Sequence, residues 1–317
     1  MRYIFQKLIS MIITLTTISF LVFLSFHFIA GDPATKRLGT EATPEMLAAL
    51  RAEMGLDAPF FIRYFRWFSS FMTGDFGSSY SYNMPVSEMI IEKIPITLTL
   101  TAISFTMIIL IAIPLGIFTA KRANQPIDNI VMAINQIFMS IPPFFAGIIL
   151  ILVFGLTFRL FVPNGYVSYK VDVWQFVTYL ILPAFALALP RAAMAIKLLR
   201  SSVIAEMERD YVRTAYSKGL SLVQVLYRHV FKNAMIPLVT FLGMTLAEMI
   251  AGSIIIEQVF GIPGIGRILL ASIRNRDYPV VMAIIILATF MVLVINMVVD
   301  LIYSAIDPRI KVNEETY

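Results

Sequence analysis

Long apolar stretches separated by polar connections dominate the chain, and six of them are long enough to cross a bilayer. A span needs about 20 apolar residues to cover a hydrocarbon core roughly 30 Å thick. The candidates lie at about 8–30, 97–119, 130–158, 176–199, 236–258 and 280–305. Arg2 and Lys7 precede the first as they would in a signal peptide. Its apolar run is too long for one, however, and Gly31-Asp32-Pro33 is no small-residue cleavage site, so it reads as a retained helix.

Two connections are long enough to fold. In the outer one, about 31–96, Thr43-Pro44-Glu45 reads as an N-cap followed by proline at the first helical position, and Gly55 closes that helix after Met54. Residues 59–72 place Phe61, Tyr64, Phe65, Phe68 and Phe71 on one stripe, with Arg63 and Arg66 elsewhere. Such a helix lies at the membrane interface or packs as a lid on the chain's own spans, and both can hold. In the inner connection, about 200–234, the fourth span continues through Ala205–Ser217 and Gly219 interrupts it. Ser221 with Gln224 forms an S-x-x-Q capping box and starts a second short helix toward His229. The chain thus divides into a first helix with its external loop (1–96), a five-helix core carrying the inner loop (97–309) and a tail (310–317).

Composition narrows the class. Of 317 residues, 59% are hydrophobic and 14% charged, where a soluble domain carries about 25% charged residues. The mean hydropathy is +0.82. An ordinary globular enzyme, a disordered chain and a coiled coil are all excluded. The net charge of +5 reflects topology rather than nucleic-acid binding. Six spans put both ends on one side, together with Lys121, Arg122, Lys197, Arg200, Arg209, Arg213, Lys218, Arg228 and Lys232. That bias predicts both termini in the cytoplasm. With no cysteine there is no disulfide, thiolate nucleophile or sulfur metal site, and the two histidines, His27 and His229, form no local ligand motif. No G-x-x-x-x-G-K-[ST] string is present, so the chain has no phosphate-cradling loop for ATP.

Charge within a span costs about 2.5–3.5 kcal/mol and invites a functional reading. The candidates are Arg191 in the fourth span, Glu248 and Glu257 in or near the fifth, and Asp300 in the sixth. Glu257 and Asp300 lie near span ends, where capping, pairing or reaching the interface suffices. Arg191 follows Pro190, whose freed backbone carbonyls can satisfy it, while Glu248 sits near mid-depth and can face a polar pathway. Asn135, Gln136 and Asn296 suit interhelical hydrogen bonds or the same pathway. Pro142-Pro143 interrupts the third span and Pro114 the second. His27 reads as a packed interfacial residue. The Gly261–Gly266 string follows a span rather than a strand, so it reads as a tight re-entrant turn. No nucleophile–base pair at span depth suggests a membrane enzyme.

The inner loop carries a family resemblance. Asp210-Tyr-Val-Arg-Thr-Ala-Tyr-Ser-Lys-Gly-Leu220, followed by Tyr227-Arg-His-Val-Phe-Lys-Asn-Ala-Met-Ile-Pro237, resembles the signature of binding-protein-dependent ABC transporter permeases. The likeness is to the first permease subunit of the dipeptide/oligopeptide/nickel importers, and it runs from about Tyr3 to Arg309. Supporting stretches include Gly74-Asp-Phe-Gly-Ser78, Val259 to Arg267, and Arg276-Asp-Tyr-Pro-Val280. Against the family pattern E-A-A-x-x-x-G, Gly219 and Ala215 match, while Arg213 and Thr214 stand where Glu and Ala are expected.

The resemblance implies an all-α membrane protein of six transmembrane helices with the type I ABC importer permease fold, in a bacterial inner membrane. It implies a coupling helix docked on an ATPase, carried by Asp210, Tyr211, Arg213, Thr214, Ala215, Gly219, Leu220, Arg228 and His229. The small Ala215 would allow close approach there. The implied partners are a second, homologous permease in a heterodimer, two ATP-binding subunits that hold ATP and Mg, and an external solute-binding protein. The chain itself binds no cofactor. Pathway candidates are Glu248, Asn135, Gln136, Asn296 and Arg191, and Arg63 and Arg66 are candidates for contact with the binding protein. The cargo implied is short peptides, with chelated nickel as the alternative. A secondary transporter or channel is the other class; it predicts inverted repeats and paired charges at mid-depth, neither of which the sequence displays.

Overall fold

A computed structural model describes residues 2–29, 33–38, 43–53, 55–163 and 165–306. The side chain of Asp300, the stretch Asp307-Pro-Arg309 and the tail beyond it lie outside the described residues. Helices account for nearly all of the structure; the only extended pairing among the described residues is a bridge between Ser78 and Pro85. The chain divides into two compact units, residues 1–96 with 263–294, and residues 97–262 with 295–317.

In the first unit, α1 (Arg2–Ile29) precedes three short helices, α2 (Pro33–Leu38), α3 (Pro44–Glu53) and α4 (Phe60–Met72). Local chemistry sets the ends of α3. The Thr43 hydroxyl accepts the Met46 N–H at 3.3 Å, and Gly55 takes the left-handed conformation (φ +62°) just beyond the helix. Arg66 lies so close across Gly55 that a Cβ there would meet its guanidinium at 2.7 Å.

Helix α4 packs on α1 as a lid, through part of the expected stripe, Tyr64 and Phe68, together with Phe60 and Trp67. Tyr64 is buried, and Phe60, Trp67 and Phe68 join it against Phe20, Phe23 and Phe26. The Tyr64 hydroxyl also shares a 2.9 Å hydrogen bond with Ser19. Phe61 and Phe65, assigned to the packed stripe from sequence, are 63% and 65% exposed. Aromatic residues on two faces give α4 one side for α1 and another for its surroundings. Tyr64→Phe is therefore expected to cost about 1 kcal/mol of α4 docking, and Phe65→Ser no more than about 0.5 kcal/mol. Hydrogen exchange of the α4 amides separates the two. His27, expected to be packed, is exposed; its ring centre lies 5.0 Å from that of Phe60, tilted by 58°.

The rest of this unit is α5 (Val86–Ile91), α13 (Ile265–Arg274) and the first part of α14 (Tyr278–Ile306). Asp277, fully buried just before α14, holds the loop ahead of α5. It accepts hydrogen bonds from the Ser79 hydroxyl and from the backbone N–H groups of Tyr80 (2.9 Å) and Ser81 (3.2 Å).

The second unit is built on three long helices, α6 (Ile94–Lys121), α9 (Val173–Met207) and α12 (Phe231–Phe260), with α7 (Pro126–Ser140) and α8 (Pro143–Leu150) packed on α9. Small residues allow the close packing. Ala184, Ala186, Ala188, Ala192, Ala193 and Ala195 are buried along α9. A Cβ on Gly116 would meet Leu199 at 2.9 Å, and one on Gly243 would meet Val299 at 2.2 Å.

Five helices, including Leu222–Phe260 as one continuous rod, are long and apolar enough to cross a membrane. The third expected span is bent by 103° between Pro126–Ser140 and Pro143–Thr157, so the count is six if that pair is one span. Ile141 and Pro142 are both extended, as a residue ahead of proline prefers. Pro114 and Pro237 bend no helix enough to end it. At the end of α12, Gly261 is left-handed (φ +70°) and the Ile262 N–H returns to the Glu257 carbonyl at 2.8 Å, which makes the expected tight turn.

Candidate functional site: the α9–α12 loop and the polar face of the long helices

The loop joining α9 to α12 folds as a short helical hairpin. The fourth span does not run on to Ser217 as its sequence suggests. Helix α9 ends at Met207, Arg209 is extended (φ −70°, ψ 148°), and α10 (Asp210–Ser217) sets off anew. Three side chains hold this break. The Tyr211 hydroxyl donates to Glu206 Oε1 at 2.7 Å, and Asn233 Nδ2 donates to the same oxygen at 3.2 Å. Burial, and then the hydrogen bond to Glu206, push the Tyr211 phenol above its ordinary pKa, so it remains a donor at neutral pH.

Gly219 turns the chain with φ +80°, and the Gly219 and Leu220 N–H groups return to the carbonyls of Tyr216 and Ala215. The expected capping box follows. Ser221 Oγ accepts the Gln224 N–H, and Gln224 Oε1 accepts the Ser221 N–H at 2.9 Å. Helix α11 (Leu222–Val225) then passes through a π-helical turn, Leu226–Val230, straight into α12. The second helix is thus the start of the fifth span and not a separate element. π-Turns within helices recur at functional sites, and this one carries Arg228 and His229.

The hairpin has two faces. Val212, Ala215, Val225, Leu226 and Val230 are buried beneath it. Ala215 therefore packs on its own chain, and the close approach it permits is internal. The outer face presents Asp210, Arg213, Thr214, Tyr216, Leu222, Val223 and Tyr227, with Gly219 at the turn. Leu222 is 45% exposed and Val223 55%. Together they form an exposed apolar pair on an otherwise polar loop.

Beside this hairpin, Lys121 Nζ donates to the Tyr227 hydroxyl at 3.3 Å and lies 4.7 Å from its ring centre. The α6–α7 connection is anchored by Asp128, which is fully buried and gripped from two sides by Arg200. Nε donates to Oδ1 at 2.7 Å and Nη2 to Oδ2 at 2.6 Å, while the Asn124 N–H adds a 3.0 Å contact.

The expected pathway residues separate. Arg191 does not turn to the carbonyls freed by Pro190. Its Nη2 lies 2.6 Å from Glu248 Oε2, an ion pair between the middles of α9 and α12. Both side chains remain open, at 37% and 54% exposure. Lys197 donates to Gln136 Oε1 at 3.4 Å on the exposed side of α7 and α9. Asn135 is buried, its Nδ2 donating to the Ala193 carbonyl at 2.6 Å, which makes it a structural bond. Glu257 is fully buried and accepts from the Thr97 hydroxyl at 2.5 Å, so it pairs inside and does not reach an interface. Asn296 is exposed on α14 and joins neither group.

The mid-depth charge pair is the feature a secondary transporter would show, so geometry alone leaves both transporter classes standing. Comparison with known proteins decides. The family model "Binding-protein-dependent transport system inner membrane component" matches residues 112–312, and its N-terminal counterpart matches residues 1–101. The chain belongs to this family of inner-membrane permeases.

"Probable peptide ABC transporter permease protein y4tP" of Sinorhizobium fredii is 34% identical over 309 residues, 98% of this chain and 99% of that protein. "Glutathione transport system permease protein GsiC" of Salmonella paratyphi A is 36% identical over 311 residues, with 98% and 99% covered. A permease of this family is a multi-pass component that carries no catalytic step itself and works with binding-protein and transport partners. Sequence reading of this permease missed Glu206, Asn233, Asp128, Arg200 and Asp277, which hold its loops. Each acts through a partner on another element, which no local pattern reveals.

Proposed function

We propose that this permease forms half of the translocation pathway of an ATP-driven importer of short peptides, with the outer face of α10 and α11 as its ATPase contact. The peptide cargo follows the names of relatives that match nearly the whole chain. In this reading the other half is a homologous permease, and two ATPase subunits hold ATP and Mg while this chain holds no cofactor. Both termini lie in the cytoplasm, on the side of the basic loops. A solute-binding protein lands on the opposite side, near Arg63 and Arg66 of α4. The hairpin supports the reading because α11 is continuous with α12, so a push on Leu222 and Val223 moves a whole span.

Gly219 tests this. Nothing lies within 4 Å of a Cβ placed there, so a larger side chain meets no wall. Its cost is the left-handed backbone, about 1–2 kcal/mol for a residue with a Cβ. Gly219→Val is expected to leave membrane insertion intact, to release α10 from its register with α11, and to lower ATPase retention and peptide uptake together. Normal retention with normal uptake would contradict the assignment.

A further inference from the structure

The two buried or mid-span ion pairs of the second unit are built differently. Asp128 is fully enclosed, and three donors occupy its two oxygens, so nothing is left to exchange. The Arg191–Glu248 pair has one short contact, Nη2 to Oε2 at 2.6 Å, and both partners are substantially open. A guanidinium offers five N–H donors and a carboxylate two oxygens. Most of that capacity is left over from the single contact.

The position says what lies beyond. Arg191 is midway along α9 (Val173–Met207), and Glu248 lies near the middle of α12 (Phe231–Phe260). Acyl chains leave charged groups at this depth unsatisfied. The same side of α12 exposes Thr240 and Met244 toward one end and Ala251 toward the other; on α9, Met194 and Lys197 continue the surface. An aqueous or protein-lined space therefore borders the pair.

A substrate passing that space must not leave a charge stranded. A molecule with an ammonium at one end and a carboxylate at the other can replace both partners at once. Its ammonium takes Glu248 and its carboxylate takes Arg191, and each protein charge stays paired throughout. A neutral solute that parts them strands both charges, and one with a single charge strands one. We propose that the Arg191–Glu248 ion pair is an exchangeable subsite that selects substrates bearing both a free amino and a free carboxyl terminus. This rests on the reading that α9 and α12 line a peptide pathway.

The test uses the whole transporter, reconstituted with its partner permease, ATPase subunits and binding protein. Arg191→Gln, Glu248→Gln and the double variant are compared for subunit assembly, melting temperature and ATP-driven uptake of a free tripeptide. The same peptide blocked as its carboxyl amide is run in parallel, and uptake is normalised to the amount the same binding protein carries. The double variant strands no charge, so its assembly and melting should match wild type while uptake of the free peptide falls about tenfold. Arg191→Gln should also lose the wild-type preference for free peptide over amide.

Recovery of uptake in the double variant would show a structural pair and overturn the proposal. A loss of assembly in proportion to uptake would do the same, as would an unchanged preference in Arg191→Gln. If the wild-type complex moves no peptide at all, the importer reading itself fails, whatever the variants do.

Discussion

Asp128→Ala is expected to cost the permease about 3 kcal/mol, the largest effect of any single substitution considered. Asp128 is fully buried, and Arg200 grips both of its oxygens at 2.6–2.7 Å. Breaking a buried pair leaves an uncompensated charge, and the usual penalty is about 3–5 kcal/mol. Arg200 is 19% exposed and regains some water, which places the expectation at the low end. The Asn124 N–H also loses its acceptor, so the left-handed turn at Asn124 (φ +65°) comes free. A lower melting temperature in detergent and a poorly assembled complex should follow. Asp128→Leu with Arg200→Met should recover most of the loss, because an apolar pair of similar bulk leaves nothing stranded. If Asp128→Ala melts like wild type, the pair contributes nothing to the stability of the second unit.

Asp277→Ala is expected to free the loop 77–85. One carboxylate serves the Ser79 hydroxyl and the N–H groups of Tyr80 and Ser81, and Ser79 Oγ in turn accepts the Tyr82 N–H at 3.0 Å. Its loss orphans three donors at about 1–3 kcal/mol each before water enters, for a net of about 2–3 kcal/mol. Amide exchange across residues 77–85 should accelerate about 100-fold, with the α9 amides unchanged. Asp277→Asn keeps one acceptor oxygen and should fall between. Exchange that rises equally in α9 would mean global unfolding and not a released loop.

What the sequence made legible was local. Thr43 and Gly55 bound α3, and Ser221 with Gln224 starts α11, because caps and left-handed turns are decided within a few residues. Apolar length found every span, and the double proline marked the 103° bend. The aromatic helix α4 was legible as a helix but not in its facing: with rings at most positions, more than one stripe fits the helical period. Tyr64 and Phe68 were read correctly, but Phe61 and Phe65 were placed on the same stripe, where the structure has Phe60 and Trp67. The break after Met207 was invisible, since Glu206 to Asp210 all tolerate a helix and the break is held by Asn233 on α12. Arg191 and Glu248 were each legible as charges at depth. Their pairing was not, because it depends on how α9 meets α12.

Docking of the outer face of the α9–α12 hairpin on an ATPase can be measured directly, because the chain has no cysteine. Val223, 55% exposed on α11, and Val225, fully buried two residues on, are each replaced by cysteine. A membrane-impermeant maleimide is applied from the cytoplasmic side to the permease heterodimer, with and without its ATPase subunits. Val223→Cys should react rapidly in the heterodimer and be protected at least tenfold in the full complex, while Val225→Cys reacts slowly in both. Equal labelling of Val223→Cys with and without the ATPase subunits would contradict the docking assignment.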